Sequence, residues 1–252
     1  MRIHRGLLIL LLALIPPNQV FAANVDIAGT TYSIANGFTG LSHFDGSHFH
    51  SSNLTELPSG NPPIVLPGVA EVGGFFGDEE IRGVSEFALQ GSASTATVFF
   101  DVLDMFALGL SPVPSGIDGL FGQRSYVGVI DMFGYAGNGM EEVSDYQIAP
   151  ISGTPVLMID VGPGLIVGGE TLSVDVTDIY NNLVSQLASD PANAATALGV
   201  RLQMAPPADP NSGAITFGNF RLQVVAQDVP EPAAGLLLLL GMAVVLRQRR
   251  SA

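Results

Sequence analysis

Cysteine, lysine and tryptophan are all missing from the 252 residues. Without cysteine there is no disulfide, no thiolate metal site and no cysteine nucleophile. Without lysine there is no P-loop and no Schiff-base chemistry. Without tryptophan, and with only five tyrosines, the aromatic platforms that stack on sugar rings are few, which weighs against a deep sugar cleft. Positive charge is also scarce: nine basic residues, all arginine, face 23 acidic ones for a net charge of −14.

The uncharged runs sit at the two ends. Arg2, His4 and Arg5 precede an apolar stretch from Leu7 to Ile15, and Val20-Phe21-Ala22 supplies small residues for cleavage. That order is a secretory signal with the cut after Ala22, so residues 1–22 are expected to leave. The stretch is too short to span a bilayer and Pro16-Pro17 ends its helix, which makes a retained anchor the weaker reading. At the other end, Val229-Pro230-Glu231-Pro232 is followed by an uncharged run from Ala233 to Leu246 and then by Arg247, Arg249 and Arg250. Such a run belongs in lipid and flanking arginines stay on the cytoplasmic side. With 14 residues it falls short of the roughly 20 that a stable span needs, so length alone would also allow a buried helix.

Residues 229–252 closely resemble the PEP-CTERM sorting signal of bacterial exported proteins, with Gln248 interrupting the basic cluster. The resemblance implies recognition by a membrane enzyme of the exosortase type, cleavage near the Pro-Glu-Pro, and delivery to the cell surface or extracellular matrix. A plain tail anchor is the alternative. Neither reading says what is delivered.

Between the two ends, Ala23–Asp228 is expected to be one extracellular domain of 206 residues, long enough for a sizeable core. It keeps four arginines (Arg82, Arg124, Arg201 and Arg221) against 22 acids, a net charge of −18. Phosphates would be repelled, which excludes nucleic acid as a partner. Divalent cations, calcium above all, are what such a charge invites, although solubility alone is an equal explanation.

Within this domain, short alternating β-prone pieces recur at intervals of roughly ten to twenty-five residues, the pattern of a β-sandwich or jelly roll. Strands are expected around Val25–Ile27, Thr30–Ile34, Glu80–Leu89, Thr95–Leu103, Ser125–Tyr135, Thr154–Val161, Thr171–Val176, Leu198–Met204 and Ile215–Val225. Asn53–Gly77, with four prolines, reads as a surface loop with at most a short edge strand at Ile64–Leu66. The Gly91-Ser92 turn suggests a hairpin or a meander, and the last two strands are expected to pair with each other. The echo of Gly-Val-Arg-Leu-Gln in Asn-Phe-Arg-Leu-Gln fits neighbouring strands. One helix is expected, capped by Thr177 or Asp178, with Ile179, Leu183, Val184 and Leu187 on one face.

Three of the four histidines lie in His43-Phe44-Asp45-Gly46-Ser47-His48-Phe49-His50. On an extended strand His48 and His50 share a face, a workable transition-metal pair with His43 or Asp45 reachable through the turn. The spacing matches no established zinc motif, and a solvated hairpin is the competing reading. Asp101 with Asp104, and Asp175 with Asp178, are Asp-x-x-Asp pairs beside strand ends. They suit calcium ligation, or the two carboxylates of a glycosidase; a solvated strand edge explains them equally. Gly162-Pro163-Gly164 is a turn, because no helix follows it and Pro163 lacks an amide. No nucleophile elbow is present, so no catalytic residue is assigned.

The segments Arg82–Phe87, Ala96–Phe100, Leu172–Thr177 leading into a helix, and Gly199–Leu202 are together similar to the DNRLRE-type jelly-roll modules of secreted bacterial proteins. That resemblance implies a jelly roll related to carbohydrate-binding modules over about Asp26–Val225. The combined expectation is an exported, non-enzymatic structural or adhesive protein of the matrix, with exopolysaccharide as a candidate partner. A glycan-binding or glycan-hydrolysing module and a histidine-based metal binder are the alternatives.

Overall fold

The computed structural model describes residues 24–37, 48–49, 68–75, 79–104, 126–208 and 212–227. Along them run β1 (Asn24–Ala28), β2 (Thr30–Gly37), β3 (His48–Phe49), β4 (Val69–Phe75), β5 (Glu79–Ala88), β6 (Ala93–Asp104), β7 (Gly128–Gly137), β8 (Leu157–Val161), β9 (Thr171–Asp175), α1 (Thr177–Ser189), β10 (Ala197–Met204) and β11 (Gly213–Ala226). The all-β expectation with one helix holds among these residues, and Asn24–Ala226 forms one compact unit. Among the described residues no helix is long and apolar enough to cross a membrane. Residues 1–23 and 228–252, which carry the expected signal and sorting tail, lie outside the description, as does Ile64–Leu66.

All strand pairings are antiparallel, and they follow the order β8-β7-β10-β5-β4-β11-β6-β9. The sheet is nearly closed. β4 bends it between two walls by changing partner, pairing β5 through Gly73–Phe75 and β11 through Val69–Gly74. At Gly73 φ is +154°, and a Cβ there would overlap the Gly213 carbonyl oxygen, so only glycine fits the crossing. The β1–β2 pair makes the same move, with β1 on β11 and β2 on β5. Between the two ends of the sheet, β8 and β9, the 162–170 connection buries Ile166 in the core. A side chain closes the side that the backbone leaves open.

Alternation supplies that core. On β6, Ala96, Val98, Phe100 and Val102 are wholly buried while the residues between them face outward. Leu198, Val200, Leu202 and Met204 of β10 approach from the opposite wall. Phe100 stacks on Phe220 at 5.0 Å between ring centroids and meets Phe217 edge-on at 5.6 Å, contacts worth about 0.5–1.5 kcal/mol each beyond their burial.

Three sequence expectations fail, for physical reasons. β5 and β6 are not a hairpin, since β4 and β11 stand between them in the sheet. The polar groups of their connection are taken up by the helix instead: Gln90 N–H donates to the Tyr180 hydroxyl at 3.0 Å, and Asn181 both accepts from Ala93 N–H and donates to Ala93 O at 2.9 Å. β10 and β11 do not pair either. β10 is buried on all but one residue and β11 along its first six, and β5 and β4 stand between them in the sheet order. The Leu202 and Leu222 of the echoed sequences therefore face the same core from two sides. Finally, the part of the expected surface loop at Val69–Phe75 is an interior strand, with Ala70, Glu71 and Val72 fully buried.

The helix forms as expected, with Leu183 buried and Ile179, Val184 and Leu187 half-buried, and Tyr180 joins them at the core. Its start differs. Asp175 Oδ1 accepts both the backbone N–H of Thr177 at 2.8 Å and its hydroxyl at 2.6 Å, and that hydroxyl accepts Ala96 N–H at 2.9 Å. The cap residue is Val176, which offers no side-chain bond.

Candidate functional site

On the face of β5, β10 and β7 that points away from the core, alternation should leave polar side chains in water. Here it does not. The β7–β8 connection, including a 3-10 turn at Val143–Tyr146, folds back over that face. It leaves Glu80, Glu86, Asp131, Asp145 and Arg201 each less than a tenth exposed. Buried ionisable groups are costly unless they are paired, so their partners matter.

The Glu80 end is fully paired. Arg82 donates from Nε and Nη2 to the two oxygens of Glu80 at 2.9 Å, a bidentate fork, and from Nη1 to the Tyr146 carbonyl at 2.7 Å. Its guanidinium lies 4.1 Å from the centroid of the Tyr146 ring, whose hydroxyl donates to Glu80 Oε2 at 3.0 Å. Charge-assisted bonds of this kind are the strong ones. Arg201 Nη1 donates to the carbonyls of Asp145 at 3.1 Å and Ile148 at 2.8 Å, and Nε to Gln203 Oε1 at 3.1 Å. Burial, with Arg82 nearby, brings Arg201 down to about 10. Two arginines thus hold the covering segment by its backbone.

The Glu86 end is not fully paired. Tyr135, Gly199 and Glu86 are register neighbours across β7, β10 and β5. Gly199 has no side chain, and the Tyr135 ring fills its place so closely that a Cβ there would overlap the ring. Glu86 Oε2 accepts Gly139 N–H at 2.7 Å, and Glu141 Oε1 accepts Glu86 N–H at 3.3 Å. Glu86 Oε1 and the Tyr135 hydroxyl are buried without a partner in good hydrogen-bond geometry, and lie close enough to each other to interact. Burial pushes the Glu86 carboxyl up to about 7; the Asp145 and Glu141 carboxylates add to the rise and the Gly139 N–H opposes it. Burial and the Glu86 carboxylate raise the Tyr135 phenol well above the ordinary tyrosine range. Asp145, raised mainly by burial, bonds back to Glu142 N–H at 2.7 Å in a reciprocal capping box around the 3-10 turn.

Beside this end lies an open cleft of about 410 Å³, between Asn138, Glu142, Ser144 and Asp145 on one side and Asn193–Thr196 on the other. The Glu86 carboxyl lies beneath the Asn138–Glu141 turn and out of contact with solvent at Oε1. The chemistry open to an enclosed carboxyl is exchange of a proton.

The residues singled out by sequence are elsewhere. Asp101 accepts from the Thr171 hydroxyl at 2.6 Å and from Asn219 Nδ2 at 2.9 Å, and lies 3.8 Å from Arg221. Those two hydrogen bonds, together with Arg221, lower its pKa. Asp175 is held below the usual range by the Thr177 bonds. Asp101 pairs in register with Thr171, and Asp175 with Thr97. Asp101 and Asp175 are therefore four strand positions apart, about 13 Å at the rise of an extended chain, and of Asp104, expected to pair with Asp101, only the backbone pairing with Thr216 is described. Asp178 is exposed on the first turn of α1. His43, Asp45 and His50 lie outside the described residues, and of His48 only the backbone pairing with Ala35 is described. Among the described residues no group of three or more histidine or acidic side chains is arranged to hold a metal ion.

The Glu86 cluster has no sequence signature. Glu80, Arg82, Glu86, Asp131 and Arg201 sit at the outward positions of alternating strands, which read as solvent-facing. The return of residues 138–150 covers Glu80, Arg82, Glu86 and Arg201. No protein-family model matches this sequence, and no curated protein is significantly similar to it.

Proposed function

We propose that this chain is an exported, surface-directed, non-enzymatic protein of the extracellular matrix or cell envelope, sorted through its C-terminal segment by an exosortase-type enzyme. The observation that carries the reading is the order Val229-Pro230-Glu231-Pro232, apolar run, Arg247, Arg249 and Arg250. The basic, apolar and small-residue order of the first 22 residues supports export. The domain between them acts as a rigid acidic module in adhesion or matrix building. Its proposed architecture is a jelly-roll type of β-sandwich, and the producer's own exopolysaccharide is its candidate partner. Rigidity is supported by a disulfide-free construction in which antiparallel strands wrap one core. Calcium is a proposed stabiliser on the strength of the acidic charge.

The test compares three chains in the producing cell: the full sequence, a chain ending at Asp228, and Glu231→Ala. The full chain is expected in the surface or matrix fraction, the truncated chain free of the membrane and not retained, and Glu231→Ala held at full length in the membrane. Identical partitioning of all three contradicts the reading.

A further inference from the structure

The arginine network fixes one end of the covering segment, whereas at the other end the only ionisable group bonded to a backbone N–H of the Asn138–Glu141 turn, among the described residues, is the Glu86 carboxyl. Gly139 N–H bonds to Glu86 Oε2 at 2.7 Å, so the tip of the Asn138–Glu142 turn sits directly on that group. A Cβ at Gly137 would lie only 2.5 Å from Glu86 Oε1, so the strand leading into the turn is also packed against it. Every charged group near it can be named. Glu141 and Asp145 face it from the connection, and Tyr135 faces it from β7. Arg201 occupies the next outward position on β10, where it is engaged by the Asp145 and Ile148 carbonyls. On its own strand Arg82 is committed to Glu80, and the β2 position opposite is Thr30. Among the described residues no cation is therefore bonded to Glu86, and both facing carboxylates repel an ionised one.

We infer that Glu86 is a proton-operated latch for the Asn138–Glu142 turn: protonated, it holds the turn against the β5–β10–β7 face, and ionised, it releases the turn and widens the cleft beside Asn193–Thr196. Release is local. Thr196 N–H bonds to Gly137 O at 3.1 Å and the Thr196 hydroxyl to Asn138 O at 2.7 Å, and neither bond involves an ionisable group. Those two bonds act as the hinge, while Arg82 and Arg201 keep Tyr146 to Ile148 in place. A carboxyl raised from 4.5 to about 7 sets the change between those values, on the acid side of neutral pH. This inference does not depend on the sorting reading, because it concerns the domain wherever it is delivered.

The experiment is amide hydrogen exchange of the full chain, followed by mass spectrometry of peptides covering 138–146 and corrected for intrinsic exchange rates. Protection is expected to fall by up to about tenfold per pH unit between the ordinary value of 4.5 and about 7, and to level off above it, while peptides from β6 and β10 stay unchanged. Glu86→Gln keeps an oxygen for Gly139 N–H but cannot ionise, and should hold the turn protected throughout. The same protection in acid and alkali, or a Glu86→Gln chain with the wild-type pH dependence, overturns the latch. If that variant does not fold, Glu141→Gln takes its place: removing one facing charge eases ionisation of Glu86 and must move the midpoint of the exchange change to lower pH. An unmoved midpoint overturns the inference.

Discussion

Tyr135 and Glu86 stand on strands that never pair, yet their side chains share one buried space because Gly199, between them in the register, contributes nothing to it. The ring of one fills the gap beside the carboxyl of the other. A phenol and a carboxyl, both costly to ionise in that place, stand side by side there.

Gly199→Ala should therefore destabilise the domain. The added methyl overlaps the Tyr135 ring, and overpacking of this kind costs about 1–3 kcal/mol. Urea unfolding of the variant is expected to show a lower midpoint, and a companion Tyr135→Leu change should recover part of the loss.

The pH dependence of stability is expected to peak on the acid side of neutrality. Glu86 is raised from 4.5 to about 7 in the folded state, so folding binds a proton between those values and stability falls as pH rises through them. Asp101 and Asp175 are lowered; their contribution is present above the ordinary aspartate range and is lost as pH falls below it. Thermal melts across the acid range measure the profile. In Glu86→Gln the descending limb toward neutral pH should flatten.

Asn181→Ala removes both hydrogen bonds to the Ala93 backbone, the N–H and the carbonyl of a buried residue. Each orphaned group costs about 1–3 kcal/mol. The variant should lose stability without losing helix content, because the damage lies in the β5–β6 connection; circular dichroism with urea titration separates the two.

Phe100→Ala opens the aromatic cluster with Phe217 and Phe220 and should cost about 3–5 kcal/mol. Phe100→Leu, closer in volume, should cost less. Equal losses would mean that ring stacking at 5.0 Å, and not volume, dominates the site.

Most strands were legible from alternation alone, and the helix from its apolar face, because those patterns report burial of one side. Pairing was not. Alternation says that Leu202 and Leu222 point inward but not from which wall, so the β10–β11 pairing and the β5–β6 hairpin were both misjudged. Val69–Phe75 was hidden by its glycines, which weaken strand propensity where Gly73 needs φ +154° and a close approach to Gly213. The candidate site was illegible for a related reason: Glu86 and Arg201 have the sequence surroundings of solvent-facing residues. Their burial comes from a connection whose path over the sheet is written in tertiary contacts.

The claim that organises this account is that the chain is exported and sorted by its two ends. Its most direct test is the intact mass of the protein recovered from its producer, in membrane and released fractions separately. The account predicts a released species lacking residues 1–22 and the segment after the Pro-Glu-Pro at 230–232. A single species with a complete C-terminus, confined to the membrane, would contradict sorting and leave a plain tail anchor in its place.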